Sequence, residues 1–174
     1  SLNVKHLHIF LAPRNVLCGR PGVALGSATP LMSAGKPIML DDLDDLDEDA
    51  KLGVGAVEDF SWKGILDFNT CTECGRCQDQ CPAWNTEKPL SPKLLIMALR
   101  DHAMAKAPYL LAGEDSRQAL LEGNDTLTKE VARPSIGDES VYGVIDPHVL
   151  LSCVPCRPAR HHSPVARPPR PPLP

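Results

Sequence analysis

Four cysteines near the middle of the chain stand at a spacing typical of metal ligands. The run reads C-x2-C-x2-C-x3-C and is followed at once by proline; its members are Cys71, Cys74, Cys77, Cys81 and Pro82. Four thiolates at such spacings bind a four-iron cluster, and gaps of two residues let one tight loop place three sulfurs around a single cube. Gly75 can adopt a positive φ in that loop and lets backbone amides approach sulfur. The run therefore predicts a [4Fe-4S] cluster site.

Other cysteine chemistry fits this run less well. Zinc is the main alternative, because a CxxC pair is also the commonest half of a structural zinc site, although zinc sites usually join two separate pairs. Haem attachment needs His directly after a CxxC pair, and Gly75 occupies that place. Thioredoxin-like chemistry lacks a supporting strand, and such tight spacing disfavours disulfides. A zinc-bound structural or interaction module stays open as the alternative function.

A second, partial run lies far downstream. It begins at Cys153 and Cys156, but Ala159 and Ser163 stand where its third and fourth cysteines belong. In bacterial ferredoxins with two such runs, the fourth Cys of each run ligates the other cluster. By this rule the two ligand sets are Cys71, Cys74 and Cys77, and Cys81, Cys153 and Cys156. Each set is one thiolate short, so a defective remnant that binds no complete cluster is a further alternative.

The composition favours a small ordered part. The chain has 174 residues, of which 43% are hydrophobic and only 4% aromatic, with 18 Pro and 12 Gly. A core this small needs support such as a metal centre. The net charge is −4 and no basic stripe is interleaved with aromatics, which argues against nucleic-acid binding. No apolar run approaches the roughly 20 residues that span a bilayer and no signal peptide is visible, so we expect a soluble or peripheral chain.

The elements that position the cysteines are predicted to be short helices. Ser61 can cap a helix that leads into the first run, and Ser91 followed by Pro92 can start another that ends before Pro108. Further short helices are predicted over 116–122 and 146–153. The apolar faces assigned to the first two helices are Trp62, Ile65, Leu66 and Asn69, and Leu94, Leu95, Ala98, Leu99, His102 and Ala103. No alternating strand pattern appears, so the predicted fold class is mainly α, a small α-helical ferredoxin module with long irregular flanks.

The stretches 62–81, 82–85, 91–102 and 144–153 resemble the membrane-linked iron-sulfur reductases related to heterodisulfide reductase. The resemblance covers 59–156. It implies a helical module with two [4Fe-4S] clusters, placed between a membrane cytochrome b domain and cysteine-rich domains. It also implies electron transfer between a redox donor protein and a quinone- or haem-linked acceptor, on the cytoplasmic side of a membrane.

A second resemblance lies at the start of the chain. Residues 5–10, followed by Ala12 and Pro13, are similar to the end of the last membrane helix in nitrate reductase gamma subunits. There a His at the position of His8 ligates haem b. The resemblance thus implies His8 as an axial ligand in a longer parent protein, with the other ligand and the membrane helices outside this chain. After Cys156 the expected cysteines give way to Arg, Pro, His and Ala, which predicts a truncated or frameshifted gene product.

These observations divide the chain into four predicted regions. Residues 1–20 are the juxtamembrane end of a missing membrane domain, and 21–58 are a linker. Seven of the nine residues 41–49 are acidic, which indicates a solvated segment rather than a calcium loop, because no central Gly is present. Residues 59–156 form the ferredoxin-type domain with an incomplete second motif. Residues 157–174, with seven Pro and four Arg, form a disordered tail or a polyproline ligand.

No acid, base or nucleophile of a substrate site is indicated in the sequence. His102 falls on a predicted apolar helix face, and His161 and His162 lie in the Pro-rich tail. The expected role is therefore the electron-transfer part of a membrane-associated oxidoreductase, without a catalytic residue of its own.

Overall fold

The computed structural model describes residues 6–19, 32–33, 36–37, 54–136 and 143–153, and this part of the chain is mainly helical. Its helices are α1 Leu7–Leu17, α2 Trp62–Asn69, α3 Arg76–Asp79, α4 Pro82–Asn85, α5 Pro92–Leu111, α6 Glu114–Glu122, α7 Asp125–Ala132 and α8 Pro147–Leu151. A 3-10 turn covers Val57–Asp59, and strands β1 Met32–Ser33 and β2 Lys36–Pro37 form a short antiparallel pair. The prediction of a mainly α module is confirmed. The acidic segment 41–49, Cys156 and the tail 157–174 lie outside the described residues.

Three helix starts follow local capping signals. Ser61 and Ser91 each accept the backbone N–H three residues further along, at 3.2 Å, where α2 and α5 begin. Asp146 accepts the N–H of His148 at 2.7 Å, and Pro147 is the first residue of α8. A side-chain oxygen at this position satisfies an amide that has no partner within the helix. All three starts were predicted from the sequence and are confirmed.

Helix α5 is longer than predicted. It was expected to end before Pro108, but it continues to Leu111 with that proline inside. Proline removes one backbone hydrogen bond, which weakens the last turn. Arg117 of α6 offsets this loss, because its Nε donates to the carbonyl oxygen of Tyr109 at 3.3 Å and its guanidinium carbon lies 5.3 Å from the centroid of the Tyr109 ring. A contact from another helix thus extends α5 beyond its local stop signal.

Two other helices differ from the sequence expectation. Helix α6 begins at Glu114 rather than at Ser116, with Glu114 and Asp115 in its first turn, where negative charge is favourable. Helix α7 was not predicted. Asn124 caps it by accepting the N–H of Leu127 at 3.1 Å, and Leu127 is its buried residue. The asparagine cap is the local signal that could have found this helix.

Helix α1 forms in a stretch where the residue pattern predicted no folded element, although the resemblance at residues 5–13 implied the end of a helix. Its polar residue Asn15 is fully buried against α2, whereas most of its large apolar side chains are exposed. The exposed apolar residues are Ile9, Phe10, Val16 and Leu17. This order is the reverse of the usual one, in which the apolar face packs on the core. Within the part of the chain that the structure describes, no helix is long and apolar enough to cross a membrane.

Two small hydrophobic clusters hold the helices together. Leu95 of α5 and Val149 of α8 pack against both clusters, so the two are continuous. Residues 143–145 also pair with 134–136, which places the start of α8 beside the end of α7. The buried members are Phe68, Leu99 and Ile145 in the first, here the Phe68 cluster, and Cys81, Ala83 and Leu90 in the second, here the Cys81 cluster.

The predicted apolar faces are right only in part. On α5, Leu99 is buried as predicted, but Leu94 is 56% exposed. On α2, Trp62 is 67% exposed, and the buried residues are Lys63 and Phe68. Helix α2 therefore turns a partly polar face to its neighbours, and Lys63 on that face donates to Asn15 of α1.

Candidate metal centre

The first three cysteines of the run lie on the loop after α2 and in α3. The loop backbone is left-handed at Glu73, with φ 56°, and at Gly75, with φ 81°. Gly75 adopts this conformation without steric penalty, which confirms the sequence prediction of a positive φ. A Cβ added at Gly75 would meet no atom within 4 Å, so glycine is needed here for its backbone conformation and not for space.

Backbone amides and neighbouring sulfurs set the state of these thiols. The backbone N–H of Arg76 donates to Cys74 and holds the pKa of that thiol below its ordinary value. Burial raises the pKa of the Cys77 thiol, and the charge of Cys71 raises it further. The Cys77 thiol therefore senses the charges of both Cys71 and Cys74. A bound metal would relieve the repulsion between the deprotonated sulfurs, because it replaces the thiol protons and supplies positive charge.

Cys81 lies apart from that loop, at the residue before α4. It is only 7% exposed and belongs to a core cluster with Ala83 and Leu90. Val149 of α8 packs against the same cluster, and α8 ends two residues before Cys153. The packing therefore places the fourth cysteine of the first run beside the helix that leads to the second run.

The other predicted site residues lie elsewhere. Cys153 is exposed after α8, and Cys156 lies outside the described residues. His8 lies in the first turn of α1 and is half-buried. Over the described ranges, no group of three or more His, Cys, Asp or Glu side chains is placed to hold a metal ion. The full predicted ligand sets are thus not assembled, and the ligand roles stay predictions.

The first run supplies the type of donor atom that an iron-sulfur cluster binds. Thiolate sulfur is the donor that iron-sulfur clusters use, and zinc also accepts it. In this loop the sulfur of Cys74 accepts a backbone N–H, and such hydrogen bonds tune cluster potentials. The side chains of Cys71, Cys74 and Cys77 therefore suit either metal by their chemistry, although the described part of the chain does not assemble them into a complete binding group.

Two polar side chains, one at the cap of α5 and one within it, contact this region, and neither contact was predicted from the sequence. Ser91 donates from Oγ to Oε1 of Gln78 at 2.6 Å, next to Cys77. Arg100, which is 5% exposed, places Nη1 at 2.9 Å from Oε1 of Glu73. Local sequence patterns carry no signal for either contact, because each partner lies on a different element.

A buried polar group joins α1 to α2 directly ahead of the cysteines. Nδ2 of Asn15 donates to Oδ1 of Asp67 at 2.8 Å and to Oγ1 of Thr70 at 2.7 Å. Nζ of Lys63 donates to Oδ1 of Asn15 at 2.6 Å and also contacts Asp67. Thr70 is fully buried and precedes Cys71. This group, the Asn15 cluster, connects the first helix to the element that carries the first ligand.

His102 serves helix packing. Its Nδ1 lies 2.9 Å from Oε2 of Glu130, and the pair connects α5 to α7. The hydrogen bond with His102 holds the pKa of Glu130 below its ordinary value. His102 is 4% exposed, in agreement with its predicted place on a buried helix face.

Comparisons with known proteins identify relatives that are named as iron-sulfur proteins or oxidoreductases. No family model matches the chain, and no solved structure matches it. The chain is 39% identical over 124 residues to the EtfAB:quinone oxidoreductase of Syntrophomonas wolfei, a match that covers 69% of this chain and 17% of that protein. It is 32% identical over 173 residues to a probable iron-sulfur-binding oxidoreductase, FadF, of Bacillus subtilis, covering 92% of this chain and 23% of the relative.

A third relative is a probable membrane-anchored ferredoxin of Chromohalobacter salexigens. It is 33% identical over 130 residues, which are 71% of this chain and 18% of that protein. The chain thus spans about a fifth of the length of the curated relatives it matches. The names of these relatives support an iron-sulfur oxidoreductase.

Proposed function

We propose that this chain is an iron-sulfur electron-transfer module of a membrane-associated oxidoreductase and uses [4Fe-4S] clusters. The observation that carries the proposal is the loop after α2. There Glu73 and Gly75 are both left-handed, in a tight turn that carries Cys71 and Cys74 and leads into Cys77, and a backbone N–H lowers the pKa of the Cys74 thiol. A bound cluster would take up and release one electron at a time. The chain's own part is to supply thiolates and hydrogen bonds to sulfur.

We further propose that the first run serves two clusters. Cys71, Cys74 and Cys77 would hold one cluster, and Cys81 would join Cys153 and Cys156 at the other. The buried position of Cys81 beside α8 supports this division, because α8 leads directly to Cys153. Ligand exchange of this kind is the rule for paired runs in ferredoxins.

The proposed partners are a redox donor protein and a quinone-linked membrane domain. Two relatives support them by name, one as a quinone oxidoreductase and one as a membrane-anchored ferredoxin. The resemblance to reductases related to heterodisulfide reductase supports a position on the cytoplasmic side of the membrane. In a longer parent protein, His8 on α1 would ligate haem b.

Anaerobic reconstitution with iron and sulfide tests the cluster proposal. We expect a brown protein with broad absorbance near about 400 nm, acid-labile sulfide and the EPR signal of a reduced cubane. Cys74→Ser should lower the iron content, whereas Cys18→Ser, which changes a cysteine outside the run, should not. A colourless protein with stoichiometric zinc would establish the zinc module instead. Iron far below one cluster per chain in the unchanged protein would establish the remnant.

Paired alanine variants test the division between two clusters. Cys74→Ala should remove the EPR signal of one cluster, and Cys81→Ala should remove that of the other. Alanine is chosen because Cys81 packs among apolar residues, where it behaves as a small hydrophobic side chain. Loss of the same signal in both variants would show that all four cysteines of the run bind one cluster.

A further inference from the structure

A buried arginine lies under the cysteine loop. Arg100 of α5 is 5% exposed, and its Nη1 is 2.9 Å from Oε1 of Glu73, between the first two cysteines of the run. Its Nε is 3.1 Å from Oδ1 of Asp101, a more exposed carboxylate on the same helix. A guanidinium that is so far removed from water needs such partners, and one of the two belongs to the loop.

The backbone of the loop explains why a partner is needed at Glu73. Its φ of 56° lies in the left-handed region, which costs a residue with a Cβ about 1–2 kcal/mol. Gly75 has a similar φ of 81° but no Cβ, so it adopts the conformation without that penalty. A strained residue of this kind persists only where its surroundings impose the conformation. The loop therefore bears a backbone cost at Glu73 that it does not bear at Gly75, and the ion pair with Arg100 can offset that cost.

We propose that Arg100 is a positioning residue for the metal centre. Its ion pair with Glu73 holds the left-handed backbone directly before Cys74 and so fixes the course of the loop between Cys71 and Cys74. The inference rests on the proposed function, because it takes the ligand of this loop to be an iron-sulfur cluster. It adds a residue of a separate helix to the determinants of cluster retention.

Glycine rescue separates this role from a purely structural ion pair. In Arg100→Gln the loop loses its contact, and we expect a chelator such as bathophenanthroline to extract iron about tenfold faster, which matches the penalty at Glu73. Adding Glu73→Gly removes the strain itself and should bring the extraction rate back to within about twofold of the unchanged protein. Lys106→Gln is the matched control, because it breaks a similarly buried ion pair of α5, to Glu58, away from the cysteine loop, and it should change the rate less than twofold. A double variant that loses iron as fast as Arg100→Gln alone would overturn the proposal.

Two further measurements keep the test decisive. The ion pair can also be broken from its more exposed side, because the side chain of Glu73 is 41% exposed whereas that of Arg100 is buried. Glu73→Gln should therefore also speed iron extraction. In the metal-free protein, deuterium exchange of the amides of 72–77 should be about tenfold faster in Arg100→Gln and normal again in the double variant. Unchanged exchange in Arg100→Gln would refute the positioning role. An unchanged protein that takes up no iron would instead refute the proposed function.

Discussion

The Asn15 cluster predicts that one side chain holds α1 against α2. Asn15→Ala removes three hydrogen bonds, to Asp67 at 2.8 Å, to Thr70 at 2.7 Å and from Lys63 at 2.6 Å. A bond to a charged group contributes about 1.5–3 kcal/mol, and a neutral one about 1 kcal/mol. Lys63 and Asp67 keep each other, and the hydroxyl of Thr70 still donates to the carbonyl oxygen of Asp67 at 3.1 Å. We therefore expect a net loss of about 3 kcal/mol in the free energy of unfolding.

Urea denaturation measures this loss. With an m-value of about 2 kcal/mol/M, the midpoint should fall by about 1.5 M. In Asn15→Ala, deuterium exchange should speed up more at the amides of α1 than at those of α5, because α1 loses its hydrogen bonds to α2 while the Phe68 cluster is unchanged. Val16→Ala is the control on the same helix; this side chain is 66% exposed, and its loss should change stability by less than about 0.5 kcal/mol. An Asn15→Ala protein as stable as this control would refute the reasoning.

Three further predictions concern α5 and its contacts. Leu99→Ala removes a buried member of the Phe68 cluster and should cost about 2–5 kcal/mol by urea denaturation, whereas a loss below about 1 kcal/mol would show that the site is loosely packed. Ser91→Ala removes both the cap of α5 and the hydrogen bond to Gln78, so we expect the free energy of unfolding to fall by about 1–3 kcal/mol. The melting temperature should fall accordingly, whereas Leu94→Ala, at an exposed side chain, should leave it unchanged. The hydrogen bond with His102 lowers the pKa of Glu130 in the folded protein. The ionised carboxylate therefore stabilises the fold above its ordinary pKa of 4.5, and this stabilisation is lost as the pH falls through its lower pKa in the folded protein. The difference in urea midpoint between the unchanged protein and Glu130→Gln should therefore shrink below about pH 4.5, and a constant difference would contradict this linkage.

Features with local causes were predictable from the sequence. The caps Ser61, Ser91 and Asp146 lie next to the helices that they start, so their signals are read within a few residues. The positive φ of Gly75 follows in the same way from the tight spacing of the cysteines. The capping residues predicted the helical fold class, and the spacing of the cysteines predicted the kind of chemistry at the first run.

Features with distant causes were not predictable. Helix α1 was missed because its buried residue is Asn15, so its pattern does not show an apolar inward face. The end of α5 was placed too early because Arg117, on the next helix, holds the turn after Pro108. The contact between Arg100 and Glu73 joins two elements, and only folding brings them together. In each case the deciding partner is remote in sequence.

The cysteines of the first run differ in burial, so their retention in related sequences would carry different information about metal binding. Cys81 fills space in a hydrophobic cluster, and a thiol is a good small apolar side chain, so packing alone could preserve it through evolution after a cluster was lost. Cys74 is exposed and belongs to neither hydrophobic cluster, so the proposed ligation would be the reason to retain it. Among descendants of a common ancestor, the residue aligned with Cys74 should therefore report whether the metal chemistry has survived.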